Sequence, residues 1–468
     1  MLHYRVDNYN HLISQIDSQT RVVILKPNQN GIDQISESLD ECCDVDAVHI
    51  ISHGAKGTLY LGDNILNSEN IHLYVESIQQ WGKCLSAEGE ILIYGCQVAS
   101  GKEGREFIRQ LHQLTGANIA ASETLTGNVS KGGNWNLEVI FGQLKSTLAF
   151  TPEVRASYAG VLADIVVNTT NDVVDDSDGV TSLREAIIEA NSTPEDDTIQ
   201  LTGGETYNLT ISGSGENAAA TGDLDIVAGG GEITVISEGE EQAVIDAGGE
   251  SGINDRVFHV LEDAALELEN VEITGGFLLN GNGGGINNSG TVGISNSTIS
   301  GNFGNTGGGI NNTGTVNVND SSMGANIATI GGGIGNYSSG IVNINNNSII
   351  ALNIAPNGGG IFNSSTLNVN DSTISSNGGI YGGGIENTGT ATISNSTVSG
   401  NLALSTETVE NSAGGGILNV GSISINDSNI SGNSSDFDGG GITIVSGTVN
   451  ISDTTISENT AGLGGGIS

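Results

Sequence analysis

The sequence predicts a multidomain chain: an α/β unit with a parallel sheet over residues 1–163, then an all-β, right-handed, three-sided parallel β-helix over residues 164–468. Three observations carry this. The tetrapeptide GGGI recurs at Gly283, Gly307, Gly331, Gly358, Gly382, Gly414, Gly439 and Gly464, at intervals of 24, 24, 27, 24, 32, 25 and 25 residues. All four cysteines, and all but two of the thirteen basic residues, precede Ala163. Before that point, short apolar runs alternate with segments of helical periodicity, the grammar of parallel strands joined by crossover helices.

In the first unit, strands are expected at RVVILK (21–26), AVHIIS (47–52), EILIYG (90–95) and NIAAS (118–122). Helices are expected through 32–43, around 71–85 and in 103–114, and WNLEVIFG (135–142) adds a terminal strand or hairpin. In the second unit the text between GGGI copies is nearly fixed: an Asn two residues on, a GTVxI-like run, then N/D-S-T-I-S-x-N. Each period thus holds three β-branched runs separated by Gly, Asn, Asp and Ser, which is one coil of a β-helix. Roughly a dozen coils at the ~4.8 Å parallel spacing give a stack on the order of 60 Å.

Two asparagine columns are expected to stack: 288, 312, 336, 363, 387 and 419, and 302, 326, 353, 377, 401, 433 and 459. Asn tolerates the tight turn and can bond the coils above and below. The segment 402–413 reads as an insertion bulging from one turn. In GVTSLREAIIEANS (179–192), Ser182 and Glu185 fit a capping box that opens a helix near 181–191, placed to cover the first coil. The closing GGGIS reads as a repeat cut part-way.

A net charge of −41 argues against nucleic acid and anionic lipid as partners and favours divalent cations such as Ca2+ on the acidic surface. The GGxGxDxUx nonapeptide of calcium-binding β-rolls is absent, however. No apolar run reaches membrane-spanning length, and the first residues lack a basic segment followed by an apolar one. No N-terminal signal peptide is therefore recognisable, and the expectation of an extracellular or cell-surface protein rests on the resemblances given below. No CxxC or Cys/His metal spacing occurs, so neither a metal site nor a cofactor is expected.

One constellation carries chemistry. His53-Gly54 ends one predicted strand run and Cys96 ends the next, with one crossover helix between them. Both side chains then emerge at the carboxyl edge of the sheet, where open α/β sheets place their sites. A cysteine needs an imidazole to lose its proton, and a helix starting near 101–103 would lower the thiol pKa further. His49, on the same face but deeper, reads as core.

A hydrophobic strand ending in His-Gly followed by one ending in Cys resembles the caspase/gingipain clan of cysteine peptidases. That resemblance implies a caspase-like sandwich and gives His53 and Cys96 the catalytic dyad. Glu123 and Asp63 are candidates to line a specificity pocket. Through VDAVHIISHGAKGTLYLG (45–62), ILIYGCQVASGKEG (91–104), TGANIAASETLTGN (115–128) and GGNWNLE (132–138), residues 21–160 are also similar to an N-terminal domain of unknown function from large bacterial, notably cyanobacterial, surface proteins. The repeats resemble β-helical passenger regions of polymorphic outer-membrane proteins and adhesins.

Three functions compete. One is a secreted or surface-displayed adhesin-like protein carrying a peptidase-type domain, with self-processing in TLTGNVSKGG (124–133) or ASYAGVLAD (156–164). The second is a non-catalytic binding protein with an inactive peptidase-like domain, its β-helix meeting a surface polysaccharide or protein. The third is a carbohydrate-active β-helix. It is disfavoured because the β-helix has only Arg184 and Arg256 as cations, and because Asp320, Asp371, Asp427 and Asp453 recur as a turn ladder.

Overall fold

A computed structural model describes the chain except residues 5, 7, 8, 15, 17–19, 27, 28, 43, 63, 130, 131, 159, 160, 163, 176, 177, 179, 193–195 and 406–412. The chain divides into two compact units, Met1–Asp164 and Ile165–Ser468.

The first unit is a mixed α/β domain. It runs β1 (Leu2–His3), α1 (Tyr9–Ser14), β2 (Ile24–Leu25), α2 (Gly31–Asp40), β3 (Val45–Ile51), β4 (Gly54–Ala55), β5 (Thr58–Leu61) and β6 (Asn64–Asn67). A 3₁₀ turn at Ile71–Tyr74 leads into α3 (Val75–Cys84), followed by β7 (Leu85–Tyr94), α4 (Gly101–Thr115), β8 (Asn118–Ala121), β9 (Val139–Phe141) and α5 (Pro152–Ser157). The sheet order is β2-β1-β3-β7-β8-β9, parallel except for β9. Alternation along β7 sends Ile91 and Ile93 to one apolar cluster with α2, α3 and α4, and Leu92 and Tyr94 to a second with Trp135, Phe150 and Tyr158. Both faces of the sheet are thus covered, as a parallel sheet requires.

The first predicted strand shrinks to Ile24–Leu25, and the antiparallel β4-β5-β6 ribbon was not anticipated. Its strands are too short, and too rich in Gly and Asn, to show alternation.

The second unit is a parallel β-helix. Its strands form three long parallel sheets of eleven, ten and nine strands. They run from Ile165–Val166 to Thr448–Ser452, from Thr206–Asn208 to Thr455–Ser457, and from Leu224–Ile226 to Ile442–Ile444. Register follows the repeat: Ile286 pairs with Ile310, Ile310 with Ile334, and Ile334 with Ile361. These isoleucines are fully buried and line the apolar interior. Two shorter parallel sheets, one from Phe303–Thr306 and Ile327–Ile330 and one of four strands from Gly378–Gly379 to Thr460–Leu463, add a partial fourth run that the three-run reading of each period lacked.

Both asparagine columns form. Each Nδ2 in the first donates to the next Oδ1 at 2.7–2.9 Å, from Asn288 to Asn419. In the second, from Asn302 to Asn459, the step is 2.9–3.1 Å. The aspartates 320, 371, 427 and 453 hold the left-handed conformation with φ of 46–49°, so they are turn residues.

Helix α6 (Leu183–Asn191) carries the expected box: Ser182 Oγ accepts from Glu185 N at 3.1 Å, and Glu185 Oε2 accepts from Ser182 N at 2.8 Å. Leu183, Ala186, Ile187 and Ala190 join the apolar interior of the first coils. The central part of the 402–413 insertion lies outside the described residues, while Leu402–Ala403 pairs as a strand with Ser434–Ser435. Among the described residues, no helix is long and apolar enough to cross a membrane.

Candidate functional site

The β3-β7 register aligns His49 with Leu92 and Ile51 with Tyr94. Ser52 N continues it by donating to Tyr94 O at 3.2 Å. The chain leaves β3 through Ser52-His53 and β7 through Gly95-Cys96, so both residues follow the carboxyl ends of paired parallel strands. Glycine makes the approach possible: a Cβ on Gly54 would lie 3.0 Å from Cys96 O and 2.4 Å from Val98 Cγ2. His49 is half-buried with Nδ1 3.1 Å from the Tyr94 hydroxyl, and burial holds its pKa down at about 4.

A segment that the sequence reading did not place in the site crosses this edge. The Leu162 carbonyl oxygen accepts from both Gly54 N, at 3.2 Å, and Cys96 N, at 3.3 Å. Leu162 N donates to Thr126 O at 2.8 Å, and Val161 bridges antiparallel to Gly127. Asn128 Nδ2 holds Tyr158 O at 2.8 Å. The Leu162 side chain is fully buried in the cluster that includes Cys96, Trp135 and Tyr158. Beyond it, the Asp164 carboxylate pairs with His53 Nδ1 at 3.0 Å, both side chains almost wholly enclosed.

Cys96 is 1% exposed, and its Sγ accepts from Thr126 N at 3.1 Å. Burial pushes its thiol up to about 12. The Thr126 N–H pulls the other way and Asp164 adds to the rise. The expected lowering by the nearby helix is therefore overturned: desolvation outweighs a dipole term of about 1 kcal/mol. Glu123 takes a bidentate bond from Arg105 at 2.7 and 2.8 Å on the surface and does not join the site; Asp63 and Cys43 lie outside the described residues.

On the β-helix, sequence reasoning missed one cluster. Asp225 and His259 share a register position on adjacent coils, with His259 Nδ1 3.0 Å from Asp225 Oδ1. Asp223 lies 3.4 Å from Arg256 Nε, and Asp255 lies 3.7 Å from it. Burial, then the neighbouring Asp255 and Asp225, push the Asp223 carboxyl up to about 7. The signal was present as GDLD (222–225) and DRVFH (255–259), but these coils precede the GGGI register that exposes column mates. Asp223, Asp225 and His259 are the one set among the described residues grouped closely enough to hold a metal ion, within 4.8 Å of one another. Ala219 N and His259 already occupy Asp225. Arg184, the other cation, is fully buried and structural: Asp172 takes its Nε and Nη2 at 2.6 and 3.1 Å, and Ala219 O and Gly222 O take Nη1 and Nη2 at 2.8 and 2.9 Å.

Fold and site together define a mixed α/β domain with a His-Cys sheet edge, followed by a parallel β-helix of the repeat type. Residues 1–162 match the family described as a domain of unknown function, DUF4347. No curated protein matches the chain. Among solved structures it is similar to the A-module of the mannuronan C-5 epimerase AlgE6 of Azotobacter vinelandii, at 14% identity and a TM-score of 0.28, over 65% of this chain and 98% of that one. The β-helix rests on the sheets and registers above rather than on this likeness.

Proposed function

We propose that this is a secreted or surface-displayed, adhesin-like β-helix protein whose N-terminal domain is a cysteine-peptidase module of the caspase/gingipain type, with Cys96 as nucleophile and His53 as its base. One observation carries the reading: two backbone N–H groups, of Gly54 and Cys96, converge on a single carbonyl oxygen beside the Cys96 thiol and His53. Paired donors of this kind stabilise the oxyanion of acyl transfer, and they are fixed before reaction. The β-helix would present stacked Asn, Thr and Ser rows to a surface polysaccharide or protein.

The buried, high-pKa thiol favours a second reading, a binding module that has lost catalysis. The two separate in a full chain carrying Leu162→Gly, which loosens the covering segment and keeps Asp164 on His53. With limiting iodoacetamide across pH 5–9, Cys96 should alkylate well below the ordinary thiol pKa of about 8.5, and His53→Ala should remove that reactivity. Cys42 and Cys84 serve as internal references. Labelling of Cys96 no faster than theirs sinks the peptidase reading.

A further inference from the structure

We infer that the peptide bond between Leu162 and Ala163 is the substrate of the His53–Cys96 pair, cut within its own chain, so that the domain is built around its own scissile segment. This rests on the peptidase reading above and goes further by naming the bond. Ala163 itself lies outside the described residues, while Val161 and the Leu162 carbonyl on the acyl side are placed.

Four features single out this carbonyl. It is the acceptor shared by Gly54 N and Cys96 N, at 3.2 and 3.3 Å. Val161, just before it, bridges antiparallel to Gly127 and Leu162 N donates to Thr126 O at 2.8 Å, the way an extended peptide is held along a strand edge. Its side chain fills an apolar pocket shared with Cys96, Trp135 and Tyr158, which would select a residue of leucine size. The family match also ends at residue 162. A strap that merely closed the domain would need none of these to coincide. Of the two segments expected to be processed, TLTGNVSKGG supplies the docking strand and ASYAGVLAD supplies the bond.

The steps balance as a hydrolysis. Cys96 Sγ attacks the Leu162 carbonyl carbon while its proton passes to His53, and Gly54 and Cys96 N–H hold the oxyanion. His53 returns the proton to the Ala163 nitrogen as the C–N bond breaks, leaving a Leu162–Cys96 thioester and a free Ala163 amine. Water then attacks the thioester, regenerating the thiol and a Leu162 carboxylate. Asp164, at 3.0 Å from His53 Nδ1, orients the ring and supports its protonated form. Asp164 lies on the leaving side of the bond, so cleavage removes the residue that orients the base. The reaction is therefore expected to run once per chain.

The test uses the full chain. Incubation at pH 7–8 should give fragments 1–162 and 163–468 with Ala163 as the new N-terminus, and added hydroxylamine should convert Leu162 to its hydroxamate, the mark of a thioester. Cys96→Ala and Cys96→Ser chains, checked by circular dichroism, should stay whole, and His53→Ala should slow cutting by roughly 10²-fold or more. Wild-type protein mixed with the Cys96→Ala chain should leave the latter intact. Cutting at another bond, or equal cutting of Cys96→Ala, overturns the inference. If the loosened variant shows a reactive Cys96 but the wild-type chain is never cut, the dyad stands and the self-cleavage falls; if neither occurs, both fall.

Discussion

At the scale of single residues, the GGGI motif holds three glycines for different reasons. In one copy, Gly307 has φ of +61°, which disfavours any side chain, whereas a Cβ on Gly308 or Gly309 would stand 2.5 or 2.7 Å from a carbonyl oxygen of the next coil. The asparagines are equally constrained. Asn353 Oδ1 accepts from Asn326 N and Nδ2 at 3.1 and 3.0 Å, and its Nδ2 donates to Asn377 Oδ1, Met323 O and Ala351 O at 3.0–3.1 Å. Asn353→Ala strands several fully buried partners at once, and each such loss costs about 1–3 kcal/mol. Denaturant titration should therefore show a loss of about 2–5 kcal/mol, or local melting around that coil; a neutral result would mean that the ladder carries no weight. These columns were legible because side chains repeat in the text. The Leu162 carbonyl was not, since a backbone acceptor recruited by main-chain donors leaves no mark on residue identity.

At the scale of elements, the capped helix α6 shows how the stack begins. Its box was readable from Ser182 and Glu185, but the part played by Arg184 was not. The guanidinium is fully buried, and its five donors meet a carboxylate and chain carbonyls brought together from residues 172, 219, 222 and 223. Asp172 Oδ2 also accepts from Thr210 N and Ile211 N at 2.7 and 2.9 Å, so the pair ties α6 to the loops of the first coils. Removing one member leaves the other charge buried without its partner, a loss of about 3–5 kcal/mol. Arg184→Ala should expose the first coils to amide hydrogen exchange while the coils around Asn326 and Asn353 stay protected; unchanged exchange at residues 172–226 would refute this. In the first unit, the strands flanking the site were legible because apolar runs are long there. The β4–β6 ribbon escaped because four-residue strands show too little alternation.

At the scale of the whole molecule, charge and repetition set the behaviour of the second unit. Nearly all basic residues lie before it, so its turns present carboxylates, hydroxyls and amides with few cations among them. Each coil bonds chiefly its two neighbours, through backbone pairs such as Gly308 N to Gly331 O at 3.1 Å and Ile310 N to Gly333 O at 2.8 Å, although Gln242 Nε2 reaches Asn296 O two coils on at 2.6 Å. Stability is then a sum of local contributions along a line. Excision of residues 307–330, one whole coil, joins Thr306 to Gly331 and leaves Asn288 facing Asn336 and Ile286 facing Ile334, each pair already matched through the removed coil. The shortened chain should fold with the same far-UV signature and a proportionally smaller denaturant slope, whereas removal of twelve residues should abolish the fold. The invariance of register thus makes length a counted quantity. Unequal recombination between copies of GGGI adds or subtracts entire turns without a frustrated intermediate, so reach can drift from generation to generation while every surviving surface stays the same.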